Sequence, residues 1–171
     1  DAIGISSSSN TITLEDNAMV IDDCDVNDVG SKFTGVGASG TNGVFSDSAF
    51  NGLTLNGTTI SGYDTGVHKE LGVLSLIGDA DITGDAYGIY TDDVEVYSLG
   101  ASVAADTTDG VGLYLLNSDD TWIYPLDVEG NVGVFANNSV FRWDNLGTGV
   151  SDATTALKTE DSTGSIENMT F

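Results

Sequence analysis

Short stretches in which apolar and polar residues alternate run along the chain, separated by glycine, asparagine or aspartate. Leu53-Thr54-Leu55, Leu74-Ser75-Leu76 and Val94-Glu95-Val96 are examples. Alternation over three to five residues between turn-forming residues predicts short β-strands. Apolar anchors also recur about seven residues apart, which raises the alternative of a coiled-coil heptad. The β-branched residues and the accompanying glycines argue against that alternative.

A glycine followed by an aliphatic residue recurs at an almost constant interval. Gly43-Val44, Gly66-Val67, Gly88-Ile89, Gly110-Val111 and Gly133-Val134 are separated by 23, 22, 22 and 23 residues. The residues before each pair also repeat, so the unit is [IVA]-x-[GD]-x-x-x-G-[VI], with one residue fewer in the last copy. This periodicity predicts a repeat of about 22 residues with three short strands in each copy.

Three short strands and three turns fit a coil in which each turn of the chain stacks on the previous one, about 4.8 Å away. Equivalent strands then form three long parallel sheets around a narrow apolar core. The repeat therefore predicts an all-β solenoid of about seven rungs. We expect Ile60, Ile82 and Ala104 to point inward in one column. A second inward column is expected from the aliphatic residues of the repeat: Val67, Ile89, Val111 and Val134.

This pattern resembles the right-handed parallel β-helix repeat family, the pectate-lyase-like superfamily. The glycine–aliphatic repeat between about residues 43 and 150 carries the resemblance, and the left-handed hexapeptide helix has a shorter rung of roughly 18 residues. The resemblance implies a right-handed parallel β-helix, of the surface-protein type rather than the catalytic type. We expect one domain over 1–171, with irregular rungs in 1–42, regular rungs in 43–150 and short terminal rungs in 151–171.

Charge narrows the range of functions. The chain has 27 aspartates and glutamates against 4 lysines and arginines, a formal charge of −23, while 40% of its residues are apolar. That apolar content is sufficient for a folded core, so disorder is not indicated. Four scattered cations provide no basic patch for nucleic acid. No apolar run approaches the length of about 18 residues that a membrane-spanning helix needs.

The excess of acidic residues also indicates the environment in which the protein works. The acidic groups on such a surface repel one another in fresh water, and dissolved salt or divalent cations screen this repulsion. We expect an extracellular or cell-surface location in a saline or marine prokaryote. An unusually acidic cytoplasm is the alternative.

Candidates for catalysis are few. His68-Lys69 is the best pair for base chemistry, but it adjoins Glu70 with no other cation nearby, so a solvated turn is expected. The resemblance implies lyases, which use arginine or lysine as base and often Ca²⁺, and hydrolases, which use paired carboxylates. Asp22-Asp23, Asp92-Asp93 and Asp119-Asp120 are such pairs, yet the Gly-His-Gly and Arg-Ile-Lys segments of the polygalacturonase group are absent. We therefore predict no catalytic residue.

Calcium is the only cofactor that the sequence suggests. Carboxylates and loop carbonyls are the ligands that Ca²⁺ prefers, and the densest oxygen clusters comprise Asp22, Asp23 and Asp25, and Asp119 with Asp120. Neither cluster matches the EF-hand loop or the Gly-Gly-x-Gly-x-Asp nonapeptide. A solvated acidic corner is the alternative for each.

Three asparagines begin Asn-x-Ser/Thr sequons and are candidate glycosylation sites: Asn56, Asn137 and Asn168. Glycosylation fits exposed turns of a secreted protein. Sequons also arise by chance in a chain this rich in asparagine, serine and threonine. Asn56 is equally suited to a corner in the left-handed backbone conformation.

Several aromatic residues are candidates for a sugar-binding platform: Tyr63, Tyr87, Tyr90, Tyr97, Trp122, Tyr124 and Trp143. Tyr63 and Tyr87 adjoin glycines and are expected at turns. Trp122, Tyr124 and Trp143 lie about one rung apart, so we expect them to stack along one face. Packing between adjacent rungs is the more common role of such residues.

The patterns together predict a non-catalytic structural or adhesive module of an extracellular or cell-surface protein, acting in a surface layer, a fibre or a rigid arm. Neither end of the chain shows a cap helix, so the terminal rungs are expected to contact other copies of the chain or the rest of a longer chain. Glycans are further expected partners. The alternatives are a carbohydrate-active β-helix enzyme, either lyase or hydrolase, and a glycan-binding module.

Overall fold

The computed structural model describes residues 5–8, 11–13, 17–22, 24–37, 39–47, 52–124, 126–144 and 149–167. All regular secondary structure in these ranges is β-strand, and no helix there is long and apolar enough to cross a membrane. The strands are β1 (Ile5–Ser8), β2 (Thr11–Thr13), β3 (Met19–Ile21), β4 (Val26–Val29), β5 (Lys32–Thr34), β6 (Asn42–Ser46), β7 (Gly52–Asn56), β8 (Thr59–Ile77), β9 (Asp81–Leu99), β10 (Ala101–Ala105), β11 (Val111–Leu116), β12 (Thr121–Ile123), β13 (Leu126–Glu129), β14 (Val132–Asn137), β15 (Val140–Asp144), β16 (Val150–Ser151), β17 (Thr155–Glu160) and β18 (Thr163–Glu167).

Successive turns of the chain stack in parallel and form a solenoid with three faces. Strands β8 and β9 continue around the corners and contribute to every face. The first face contains β1, β4, β7, the ends of β8 and β9, β12, β15 and β18. The second contains β2, β5, the starts of β8 and β9, β10, β13 and β16. The third contains β3, β6, the middles of β8 and β9, β11, β14 and β17. One turn takes roughly 23 residues, which confirms the predicted all-β parallel solenoid.

An inward column runs along the second face. Its members are in register from rung to rung: Phe33, Ile60, Ile82, Val103, Val128 and Val150. Ile60 and Ile82 are fully buried, as predicted. The placement of Ala104 was wrong, because Val103 is the residue paired with Ile82, and Ala104 is half-buried on the outer side. A shift of one residue along a strand exchanges the two faces.

The third face carries a second inward column with one correction. Val67, Ile89 and Val134 lie in it as predicted, but Leu113 occupies the place that was expected for Val111. Val111 instead pairs in register with Tyr87 and Val132. The matching copy of the repeat is therefore Gly112-Leu113 rather than Gly110-Val111.

The repeated glycines are needed for packing at the corner between the second and third faces. A Cβ atom on Gly66 would lie 2.6 Å from Cγ2 of Ile82, and one on Gly88 would lie 2.6 Å from Cγ1 of Val103. These separations are below any normal carbon–carbon contact, so any side chain at these positions displaces the inward column. The glycine of each repeat thus leaves room for the branched aliphatic residue of the next rung.

Asparagine or aspartate forms the corner between the third and first faces on the rungs that follow β8, where Leu71 takes the same conformation with φ of 63°. Asp93, Asn117 and Asn138 adopt the left-handed conformation with φ of 57°, 50° and 49°. The Asn117 side chain donates to Oδ1 of Asp92 at 2.8 Å, and the Asn138 side chain donates to Oδ1 of Asn117 at 2.8 Å. These two residue types tolerate this conformation at little cost. The corner therefore accounts for part of the chain's high asparagine and aspartate content.

Candidate functional site

An aromatic ladder runs along the outer side of the third face. We use this name for Phe45, His68, Tyr90, Tyr114 and Phe135, which follow the successive glycine–aliphatic pairs and are in register. Consecutive ring centroids are 5.1, 4.8, 5.1 and 4.8 Å apart. Tyr90 and Tyr114 are stacked with an interplanar angle of 13°, and the other pairs meet edge to face.

The rings of the ladder are half-buried, and neighbouring side chains contact them. Lys158 closes one end, with Nζ 4.1 Å from the Phe135 centroid and 3.0 Å from Oε1 of Glu160. Tyr87 lies beside the ladder, 5.5 Å from the Tyr90 ring and 5.8 Å from the Tyr114 ring. Edge-to-face and offset pairs at these distances stabilise a fold. The ladder therefore holds adjacent rungs together and offers few free ring faces to a ligand.

His68-Lys69 is not the solvated turn that the sequence suggested. His68 is a rung of the aromatic ladder, and its Nε2 lies 3.2 Å from Oε1 of Glu70. Lys69 points to the opposite side of the same strand and is fully buried, with Nζ donating to Oγ of Ser46 at 3.2 Å. Burial lowers the pKa of Lys69 from 10.5 to about 8, and the charge of Asp25 opposes this shift. The strand alternation separates the two residues onto different sides.

A groove of about 500 Å³ opens on the first face, over the rungs that follow β9. Tyr97, Trp122 and Arg142 occupy equivalent positions on three successive rungs. We call this feature the aromatic groove and define it by its lining residues: Tyr97, Ser98, Trp122, Ile123, Tyr124, Arg142, Trp143, Asp144, Ser165 and Glu167.

Neighbouring acids hold the rings of the aromatic groove in place. The Trp122 indole N–H donates to Oδ1 of Asp120 at 2.9 Å, and the Tyr97 hydroxyl donates to Oε2 of Glu95 at 3.0 Å. The second hydrogen bond raises the pKa of Tyr97, with smaller contributions from burial and nearby charge. The Arg142 guanidinium carbon lies 4.9 Å from the Trp122 ring centroid, within cation–π range.

The aromatic residues named in the sequence analysis lie in different parts of the structure. Trp122, Tyr124 and Trp143 all line the groove, but they do not form a single stack. Trp143 pairs in register with Ile123 and is buried, whereas Trp122 and Tyr124 are exposed. Tyr63 was expected at a turn and is instead fully buried in the core, where burial raises its pKa.

The sequence analysis did not identify Phe45, Tyr114 and Phe135 as members of the aromatic ladder. The sequence does indicate it, because each of them follows a glycine and an aliphatic residue at the repeat interval. The indication is clear only when Gly112-Leu113 is aligned with the other copies of the repeat. The role of Arg142 was also missed, because its contact with Trp122 depends on the register between β12 and β15.

The candidate calcium ligands that the structure describes are exposed. Asp22 and Asp25 are exposed, Asp25 accepts the Gly52 backbone N–H at 2.7 Å, and Asp23 lies outside the described residues. Asp119 and Asp120 are exposed, and Asp120 accepts the Trp122 indole N–H. No three histidine, cysteine, aspartate or glutamate side chains in the described ranges form a group that could hold a metal ion. Calcium binding stays a prediction.

In both sequons within the described residues, the hydroxyl of the threonine or serine is engaged in a hydrogen bond. Asn56 and Asn137 are half-buried at the ends of β7 and β14. The buried Thr58 hydroxyl donates to Oδ2 of Asp28 at 2.5 Å, and the Ser139 hydroxyl donates to the Asn137 carbonyl at 2.8 Å. Modification at either asparagine stays a prediction. Asn168 lies outside the described residues.

Comparison of the chain with protein-family models, curated proteins and solved structures gives no match. The parallel solenoid is consistent with a β-helix, but no relative links the chain to the pectate-lyase-like superfamily. The function is therefore argued from the geometry and the charge of the molecule.

Proposed function

We propose that the chain is a rigid, non-catalytic structural or adhesive module of an extracellular or cell-surface protein, acting in a surface layer, a fibre or a rigid arm. The observation that carries the proposal is a solenoid of stacked parallel strands whose charged residues are almost all acidic. Of the four cations, Lys69 is buried, Lys158 is paired with Glu160, and Arg142 stacks on Trp122. Against 27 acidic residues, little positive charge is left at the surface.

Rigidity follows from the way in which the rungs are joined. Every face is a ladder of parallel strands, the inward columns pack from rung to rung, and the aromatic ladder ties the outside of the third face. Each inner rung is stabilised by its neighbours on both sides, as in other solenoids. A stiff rod with a fixed charge pattern suits a spacer or an assembly subunit.

The negative exterior supports a cation-rich environment. Like charges at this density repel one another, and the repulsion weakens as ionic strength rises. Bound or condensed cations would also allow two acidic rods to approach each other. We therefore propose a saline extracellular setting, with Ca²⁺ as the most effective screening ion.

Strand edges support an assembly role. In the described ranges, β16, β17 and β18 each pair with a neighbouring strand on one side only. Edges of this kind are closed by further rungs or by another copy. We propose other copies of the chain, or the rest of a longer chain, as the partners at these edges.

The proposal also includes a resemblance to a particular superfamily of β-helix proteins. We propose a right-handed coil that is similar to the surface-protein members of the pectate-lyase-like superfamily. The turn of roughly 23 residues and the glycine repeat support it.

The test is the assembly state of the purified chain. Light scattering coupled to gel filtration, with electron microscopy of the same fractions, is carried out in low salt, in molar NaCl and in millimolar CaCl₂. We expect elongated assemblies once the surface charge is screened. A monomer under all three conditions, together with measurable cleavage of an acidic polysaccharide, would contradict the proposal.

A further inference from the structure

The exposed aromatic side chains of the described chain are concentrated at one place. Tyr97, Trp122 and Tyr124 are 36%, 45% and 38% exposed, and all three line the aromatic groove. The other aromatic side chains in the described ranges are half-buried or buried. Exposed rings gathered in one concave place are typical of an interaction site. At about 500 Å³, the groove has the size of a small-molecule site.

The groove also offers hydrogen-bond donors. Arg142 forms no ion pair with any described residue, although the chain is strongly acidic. Its guanidinium carries five N–H groups held in a plane, and the cation–π contact with Trp122 leaves these groups available.

A carboxylate acceptor lies one rung beyond Arg142. Glu167 is exposed, lines the groove, and stands in register with Asp144 of the preceding strand. A ligand that fits must therefore present an apolar face to Tyr97 and Trp122, acceptors to Arg142, and donors to Glu167. A polyhydroxylated ring meets all three requirements, because its C–H groups form a face and its hydroxyls both donate and accept.

We infer that the aromatic groove binds a neutral saccharide. An anionic sugar is disfavoured by the net charge of −23 and by the two carboxylates of the lining. A cationic ligand gains no cation–π contact with the central ring, because the Arg142 guanidinium already lies against it. A purely apolar ligand offers no acceptor to the Arg142 guanidinium. The inference goes beyond the proposed structural role and rests on the groove alone.

Intrinsic fluorescence tests the inference directly, because both tryptophans of the chain, Trp122 and Trp143, line the groove. The full chain is titrated in molar NaCl with neutral oligosaccharides of glucose, galactose, mannose and N-acetylglucosamine, and with oligogalacturonate as the charged comparison. We expect a saturable change in tryptophan fluorescence with at least one neutral oligosaccharide. We expect oligogalacturonate to bind more weakly.

Variants locate the binding. Trp122→Ala, with Trp143 as the remaining reporter, and Arg142→Gln each weaken binding about tenfold or more, the equivalent of one lost stacking or charge-assisted contact. Leu99→Ala removes an exposed apolar side chain of the same strand as Tyr97 from outside the groove. Lys32→Ala removes an exposed cation on the second face. Neither control changes the affinity.

Three results would overturn the inference. One is the absence of a fluorescence response to every neutral oligosaccharide. Another is equal affinity in Trp122→Ala, Arg142→Gln and the unsubstituted chain, provided that thermal unfolding shows both variants to be folded. The third is tighter binding of oligogalacturonate than of any neutral sugar. None of these results depends on whether the chain assembles.

Discussion

Lys69 is buried in the solenoid, and its charge lowers the free energy of unfolding by an amount that depends on pH. Its pKa is lowered from 10.5 to about 8 by burial, against the opposing charge of Asp25. Between these two values the unfolded chain holds a proton that the folded chain has lost, so unfolding takes up a proton. Stability therefore rises with pH from about 8 to about 10.5. Below pH 8 both states are protonated, and the full cost of roughly 3 kcal/mol is present.

Replacing Lys69 by methionine tests this account. Lys69→Met removes the buried charge and keeps an unbranched chain of similar length. We expect the free energy of unfolding at pH 7 to increase, and the difference from the unsubstituted chain to shrink as pH rises towards 10. Urea unfolding at several pH values measures both effects. Lys32→Met, at an exposed position, serves as the control. A difference between variant and unsubstituted chain that is independent of pH would show that Lys69 is not held in the interior.

The register of the second face is tested by two neighbouring residues. Val103 lies in the inward column and Ala104 points to the outer side of the same strand. Val103→Asn buries an amide without a partner and is expected to cost about 3 kcal/mol or more in unfolding free energy. Ala104→Asn is expected to cost less than 1 kcal/mol. Chemical denaturation measures both. The reverse order would mean that the strand faces the other way.

At the scale of the strand and its corner, the repeated glycines set how closely the rungs approach. A Cβ atom at Gly88 meets the Val103 side chain and the carbonyl oxygens of Ala104 and Gly112 at 2.6 Å. We expect Gly88→Ala to destabilise the fold by about 1–3 kcal/mol or more through overpacking.

Gly52→Ala is the matched control for this prediction. A Cβ atom there would lie 3.5 Å from Oδ1 of Asp25, an ordinary contact, and Gly52 is also within a strand. Thermal unfolding of the two variants is expected to show a large loss for Gly88→Ala and little change for Gly52→Ala. Equal losses would indicate that strand propensity, rather than close packing, explains the repeated glycines.

The strand pattern could be predicted from the sequence, because glycine–aliphatic pairs mark the same corner on five consecutive rungs. The register failed at one copy because Gly110-Val111 imitates the repeat two residues before Gly112-Leu113. This copy has two more residues before its glycine–aliphatic pair than the pattern predicts. The turn before β11 accommodates them, and the Gly110 N–H donates to the Thr107 carbonyl at 2.9 Å within it. A pattern of residue types does not reveal how many residues a turn takes up.

The candidate site was predictable only in part. Trp122, Tyr124 and Trp143 were recognised as residues one rung apart, and they do line one groove. The orientation of Trp143 and the contact between Arg142 and Trp122 follow from strand register, which depends on turn lengths. The burial of Lys69 had no sequence signal, because a lysine next to histidine and glutamate indicates solvent.

At the scale of the whole molecule, surface charge dominates. The chain combines a rod of stacked rungs with a net charge of −23, and most of its few cations are engaged with other side chains. Repulsion between the acids opposes the compact state and is relieved by counterions. The proposed role at a saline surface therefore requires that the fold gains stability from dissolved salt.

The most direct test of this claim is the melting temperature of the chain as NaCl and CaCl₂ are increased separately. We predict a melting temperature that rises steadily from low salt to molar NaCl, because the Debye length shrinks from about 30 Å at 0.01 M to about 3 Å at 1 M. CaCl₂ should produce the same rise at a much lower concentration. A melting temperature that is indifferent to both salts would contradict the account.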